Sequence, residues 1–228
     1  ADGGRRSALL GGAAALVAAA SAPALAPPPA LAFDNPEPLD DGFKRFYGKA
    51  ASASSYGGGA TGNKSAGLDA FRYLYEVPDY YVQDTIGKIE KATQGVDSRW
   101  RGKRGEMYYV VSIPGFAKLG KERDEVLENL AVSNIELQDK IYQQLDYKDY
   151  EKTLGDQLYY CYELVTDKDT TLVSVTAYGG RFYGAFVVAP KSLVTEDQDK
   201  YYRMVDSFSV IEKANAKLEE RLTMAYNS

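Results

Sequence analysis

Between Leu158 and Val210 the apolar and polar positions fall into strand-like runs followed by one helix-like run. Val173, Val175 and Ala177 share one face, with Ser174 and Thr176 on the other. After Gly179 and Gly180, the positions Phe182, Gly184, Phe186 and Val188 alternate with Tyr183, Ala185 and Val187. A period of two in segments rich in Tyr, Val and Phe is the pattern of consecutive antiparallel strands. Neither face is strongly polar, so these strands are expected to be covered on both sides. The glycine pair predicts a type I′ turn, because both central residues of that turn need φ > 0. Residues 158–165 supply a further strand. Pro190 closes the last one, and Thr195 to Gln198 fits a capping box that opens a helix. Tyr201, Met204, Val205 and Phe208 then recur at helical spacing and form one apolar stripe.

Upstream, residues 71–77 alternate Phe71, Tyr73 and Tyr75 with Arg72, Leu74 and Glu76 until Pro78 interrupts them. Residues 98–102 predict a short strand and residues 105–113 a longer one, closed by a Pro114-Gly115 turn. Residues 121–144 read as helical, with Leu127, Leu130, Leu137 and Ile141 on the apolar stripe. Ser133 with Glu136 is a second capping box, so a bend near Ser133 is expected. Glu122, Asp124 and Glu125 suit a first helical turn, where the dipole favours negative charge; a carboxylate site is the other reading. Residues 212–226 are again helical in pattern, with Ala214, Leu218 and Leu222 aligned. Packing on the domain and reaching for a partner both remain open for them.

The first 32 residues pair Arg5 and Arg6 with an Ala-rich apolar run and small-residue ends, the pattern of a twin-arginine export signal cleaved before Phe33. A retained anchor is the competing reading. Residues 33–66 are rich in Pro, Gly, Ser and acid, a composition expected to stay flexible. Within them Phe43, Lys44, Arg45, Phe46, Tyr47 and Lys49 concentrate aromatic and cationic side chains. That run reads as a docking peptide that orders on a partner, or as a short helix on the parent domain. The triglycine at 57–59 lacks the Gly-Lys-Ser/Thr of a phosphate loop.

Composition removes most chemistry. The chain of 228 residues has a formal net charge of -5, which argues against nucleic acid as a partner. It has no histidine, and so lacks the commonest general base and transition-metal ligand. Cys161 is the only cysteine, which excludes an internal disulfide and a Cys-rich zinc site; among strand tyrosines it reads as a buried thiol. Asp167 and Asp169, in the connection Asp167-Lys168-Asp169-Thr170, are weak metal candidates, because a calcium loop needs more alternating oxygen ligands and a central glycine. The alternative there is a solvated hairpin turn. No motif locates a Ser-Lys pair. The 19 tyrosines suit half-exposed sheet faces and contact surfaces.

The order strand, short strands, helix, three strands, helix, behind an arginine-pair signal, resembles the PsbP family of thylakoid lumen proteins. The likeness covers about residues 67–211 and rests on Gly155-Asp156-Gln157-Leu158-Tyr159-Tyr160, on Thr171 to Thr176 followed by Gly179-Gly180-Arg181-Phe182-Tyr183, and on Val205 to Val210. It implies an α+β fold, an α/β/α sandwich around a central antiparallel sheet. The expected organisation is then a signal at 1–32, a flexible segment at 33–66, a PsbP-like domain at 67–211 and a helical tail at 212–228. The resemblance also implies a non-enzymatic extrinsic protein of the chloroplast thylakoid lumen, peripheral to the membrane. Its expected partners are photosystem core or assembly-intermediate proteins. The oxygen-evolving side of photosystem II is favoured, with a role in stability, assembly or calcium and chloride retention. A photosystem I assembly or auxiliary factor, and a small-ligand or ion-binding lumenal module, are the alternatives. No tightly bound cofactor is expected; calcium or chloride would associate through the photosystem. The missing histidine, the Gly/Ser-rich lead and the tail after Val210 depart from the photosystem II subunit and point to a paralogue.

Overall fold

Gly179 and Gly180 take φ values of 56° and 77° and join two long strands by a two-residue turn, as the sequence predicts. The computed structural model describes residues 35–50, 71–132 and 134–211. In chain order its elements are β1 (Glu37–Pro38), β2 (Phe43–Gly48), β3 (Tyr73–Pro78), β4 (Val82–Gln83), α1 (Lys88–Thr93), β5 (Val96–Arg101), β6 (Met107–Pro114), α2 (Arg123–Ala131) and α3 (Ile135–Gln143). These are followed by β7 (Asp146–Leu154), β8 (Gln157–Val165), β9 (Asp169–Tyr178), β10 (Arg181–Pro190), α4 (Lys191–Glu196), α5 (Gln198–Asp206) and β11 (Ser209–Val210).

Among the described residues the strands form a seven-stranded sheet in the order β4-β5-β6-β10-β9-β8-β7 and a smaller one in the order β1-β2-β3-β11. Every pairing is antiparallel. The central strands are apolar on both faces because both faces are covered. Val173, Val175, Phe182 and Phe186 face Val126, Leu127 and Leu137 of α2 and α3. On the opposite face, Leu172, Tyr183, Ala185 and Val187 meet Tyr201, Met204 and Val205 of α5, together with Tyr73, Tyr75 and Val77 of β3. The α+β sandwich around an antiparallel sheet is therefore present, with the small sheet sharing one outer layer with α4 and α5.

Four local features differ from the pattern reading. β7 carries five charged residues and its pattern predicts no strand, yet it pairs with β8 along its whole length. It is the last strand of the sheet, and charge on an edge strand discourages pairing with another chain. α4 begins directly after Pro190, and Thr195 lies inside it, its hydroxyl donating to the Lys191 carbonyl at 3.0 Å. The capping box there is not formed, and α5 starts at Gln198 without a side-chain cap. The N-cap of α3 is Asn134, whose Oδ1 accepts from the Leu137 amide at 3.1 Å, one residue beyond the Ser133 expected.

The fourth difference is the largest. Residues 35–50 were expected to be flexible, but β1 and β2 are part of the small sheet, β2 pairing with β3 from Phe43↔Pro78 to Gly48↔Tyr73. Packing thus begins well before residue 67. Composition missed it because the rings that β2 buries against lie far along the chain. The export signal at 1–32, the Gly-rich stretch and the C-terminal helix fall outside the described residues.

Candidate interaction surface

The cation-aromatic run singled out in the sequence is β2, and its side chains are engaged within the domain. Phe46 lies 5.3 Å from the Tyr75 ring and meets Trp100 edge-on at 5.7 Å. Tyr47 is buried and donates to Glu37 Oε2 at 2.9 Å. Lys44 Nζ donates to the carbonyls of Asp79 and Tyr81 at 2.9 and 2.6 Å and sits 4.5 Å from the centre of the Trp100 ring. Burial pulls its ammonium below the ordinary lysine value, against the opposing charge of Asp79. Arg45 reaches Glu76 at 2.6 Å, and Arg203 reaches the other oxygen of the same carboxylate at 2.8 Å. Burial works against the charge of Arg45, but its hydrogen bond to Glu76, together with Tyr47 and the Glu76 charge, outweighs it, and its pKa is raised. Arg203 also stacks 3.8 Å over Phe43, and Lys49 lies 5.4 Å from the Phe71 ring. A strand held by its own domain in this way is not a peptide waiting for a partner, and it is not the short helix of the alternative reading.

Behind β2 a polar chain crosses the core. Trp100 Nε1 donates to the Tyr75 hydroxyl at 2.6 Å, Tyr75 donates to Ser98 Oγ at 2.9 Å, and Tyr73 donates to Asp97 Oδ2 at 2.6 Å. Asp97 also accepts from the Ala50 amide at 3.1 Å, which ties the end of β2 to β5. Burial, then the nearby Asp97 charge, holds the Tyr73 hydroxyl protonated well beyond the ordinary tyrosine range. Such a fully buried hydroxyl is a fixed donor, suited to positioning strands rather than exchanging protons.

The remaining candidates are also accounted for structurally. Asp169 accepts from Thr166 Oγ1 and pairs with Lys140 at 3.0 Å, so its carboxylate is already neutralised. Thr166 Oγ1 in turn accepts from the amides of Lys168 and Asp169, which closes the β8–β9 turn. Among the described residues no group of three or more His, Cys, Asp or Glu is placed to hold a metal ion, so the Asp167 and Asp169 suggestion is set aside in favour of the plain hairpin turn. Cys161 is buried beside Ser174, and burial raises its thiol pKa, which leaves it in the inert form. Asp124 accepts from the Tyr147 hydroxyl at 3.0 Å, joining α2 to β7.

What the pattern reading missed lies on α3. Leu137 is buried and Ile141 is packed against the sheet, whereas Ile135 and Tyr142 are 75% and 79% exposed. Val132 before the helix and Leu145 after it are comparably open. The available signal was that Ile135 and Tyr142 stand seven apart, a second apolar line opposite the buried one.

No family model matches the chain. It is 36% identical over 172 residues to the chloroplastic thylakoid lumenal 19 kDa protein of Arabidopsis thaliana, covering 74% of this chain and 74% of that protein. The solution structure of cyanobacterial PsbP from Synechocystis aligns with a TM-score of 0.49 at 16% identity, over 75% of this chain and 93% of that one. Among the described residues no helix is long and apolar enough to cross a membrane. On the identity and coverage shared with the Arabidopsis protein, the chain belongs to the PsbP-like family of chloroplast thylakoid lumen proteins.

Proposed function

We propose that this protein is a non-enzymatic extrinsic protein of the lumenal side of the photosynthetic membrane, which binds a photosystem and supports its assembly or stability. Photosystem II is the favoured partner. The observation that carries the reading is the contrast between the polar groups behind β2, tied up in internal latches such as Tyr73 to Asp97 and Trp100 to Tyr75, and an α3 surface that leaves large apolar side chains in water. Apolar surface of that kind marks a contact site. The likeness to a lumenal protein supplies the compartment in which the contact is made. Any association with calcium or chloride runs through the photosystem, since Asp169, the better placed of the two acidic candidates, is paired with Lys140.

Native-gel fractionation of solubilised thylakoids, with detection of this protein, tests the proposal. Migration with photosystem II or one of its assembly intermediates is the expected result. Migration with photosystem I would reassign the partner. Recovery solely as a small species under gentle solubilisation, or turnover of a substrate by purified protein, would overturn the reading.

A further inference from the structure

On α3 the solvent face is apolar at both ends and acidic in the middle. Val132, Ile135, Tyr142 and Leu145 are 78%, 75%, 79% and 68% exposed. Ile135 and Tyr142 stand roughly 10 Å apart along the α3 axis at 1.5 Å rise per residue, and Val132 and Leu145 lie in the chain just before and just after the helix. Asp139, also exposed, lies between Ile135 and Tyr142 on the same line and has no ion-pair partner among the described residues. Its neighbour Lys140 points the other way, to Thr171 Oγ1 at 2.9 Å and to Asp169. The buried face is separately satisfied by Leu137 and Ile141, and Asn134 caps the helix, so this outer line is not a core stripe turned the wrong way.

We infer that the outer face of α3 is a docking surface for a protein segment that presents apolar side chains on either side of a Lys or Arg. This rests on the reading of the chain as a binding protein and names where and what it binds. A bilayer is the poorer occupant, because seating Ile135 and Tyr142 in lipid would bury the Asp139 carboxylate between them without a partner, and interfacial helices carry cations rather than acids on the flanks. A second copy is also poorer. Two antiparallel α3 helices related by a two-fold axis bring Ile135 against Tyr142, but they also bring Asp139 onto its own counterpart. A cation opposite Asp139 converts that repulsion into selection for one class of partner. The four side chains offer on the order of 500 Å², short of the roughly 800 Å² per partner of a standard interface. The contact is accordingly transient, or extends onto neighbouring surface.

The test uses the full chain carrying a photo-crosslinking benzoylphenylalanine in place of Tyr142, mixed with inside-out thylakoid vesicles washed of extrinsic proteins. The expected product joins position 142 to a protein. Its yield falls about tenfold or more in an Asp139→Lys background, the scale of losing one interface anchor. An Ile135→Ser, Tyr142→Ser double variant is expected to lose vesicle binding by a similar factor while keeping its thermal midpoint, since both side chains are exposed. Cross-links confined to lipid or to a second copy would overturn the inference, and so would unchanged vesicle binding of the double variant. Those outcomes leave the photosystem-binding proposal standing if the wild type still sediments with the vesicles. Failure of the wild type to sediment at all would remove both.

Discussion

Gly48→Ala should be among the most damaging single-methyl changes in this protein. Gly48 pairs with Tyr73 across β2 and β3. A Cβ at Gly48 would stand 1.9 Å from Tyr73 Cζ and 2.4 Å from its hydroxyl oxygen, far inside van der Waals contact. The ring has nowhere to go, with Tyr75, Tyr183 and Phe208 all within about 6 Å centroid to centroid. Its hydroxyl is meanwhile held by Asp97 at 2.6 Å. Overpacking a tight core costs about 1–3 kcal/mol, and abandoning a hydrogen bond to a carboxylate adds about 1.5–3 kcal/mol. Not both need be lost in full, so the expected destabilisation is about 2–5 kcal/mol. For a domain of this size that lowers the melting temperature by roughly 5–20 °C. Urea unfolding followed by circular dichroism, with the m-value checked for constancy, reads it directly. In a Tyr73→Val background the obstacle is gone, and the same Gly48→Ala change should cost much less, a non-additivity that isolates the clash. A Gly48→Ala protein within about 0.5 kcal/mol of wild type would show that β2 does not lie against Tyr73, and the placement of residues 35–50 would fall with it.

Two further outcomes can be checked with the same apparatus. Asn134→Ala removes the acceptor for the Leu137 amide and should cost about 0.5–2 kcal/mol, with amide hydrogen exchange speeding first at the start of α3. In the acid range, hydrogen bonds from Arg101 and then Arg99 hold the Asp84 carboxyl below its ordinary value, and Arg203 does the same for Asp41. A carboxyl depressed in the folded state contributes stability above its unfolded pKa of about 3.9 and loses it as pH falls through the folded value. The urea midpoint should therefore owe nothing to these two groups' titration between pH 7 and 5, and lose their contribution below about pH 4. Asp84→Asn should flatten part of that fall; a variant with the wild-type acid profile would contradict the pairing.

The elements read correctly from the chain are those whose cause is local. The β9–β10 turn follows from Gly179 and Gly180, because positive φ at two successive residues is a property of the residues themselves. The α5 stripe of Tyr201, Met204 and Val205 is buried as its spacing requires, with Phe208 buried just past the helix end, since helical period is likewise local. The two-faced apolar character of β9 and β10 anticipated cover on both sides, and α2–α3 and α4–α5 provide it.

β7 drew no prediction because its charges hide its strand pattern, whereas β2 was misjudged because its partners are distant. Asp146 to Leu154 is a strand because β8 offers it a hydrogen-bonded edge, and its acids find Arg123, with Lys152 reaching Asp206. Phe43 to Gly48 is a strand because Tyr75, Trp100, Glu76 and Arg203 wait for its rings and cations. The partners of β2 stand about 30 to 160 residues further on, and no window along the chain contains both halves. The α3 surface divides in the same way. Its helical spacing and its buried line of Leu137 and Ile141 were legible, but that the second line of Ile135 and Tyr142 stays in water depends on what stands beyond it in the fold. Spacing and backbone conformation are properties of a segment; burial and charge pairing belong to two segments at once, and exist only after the chain has closed on itself.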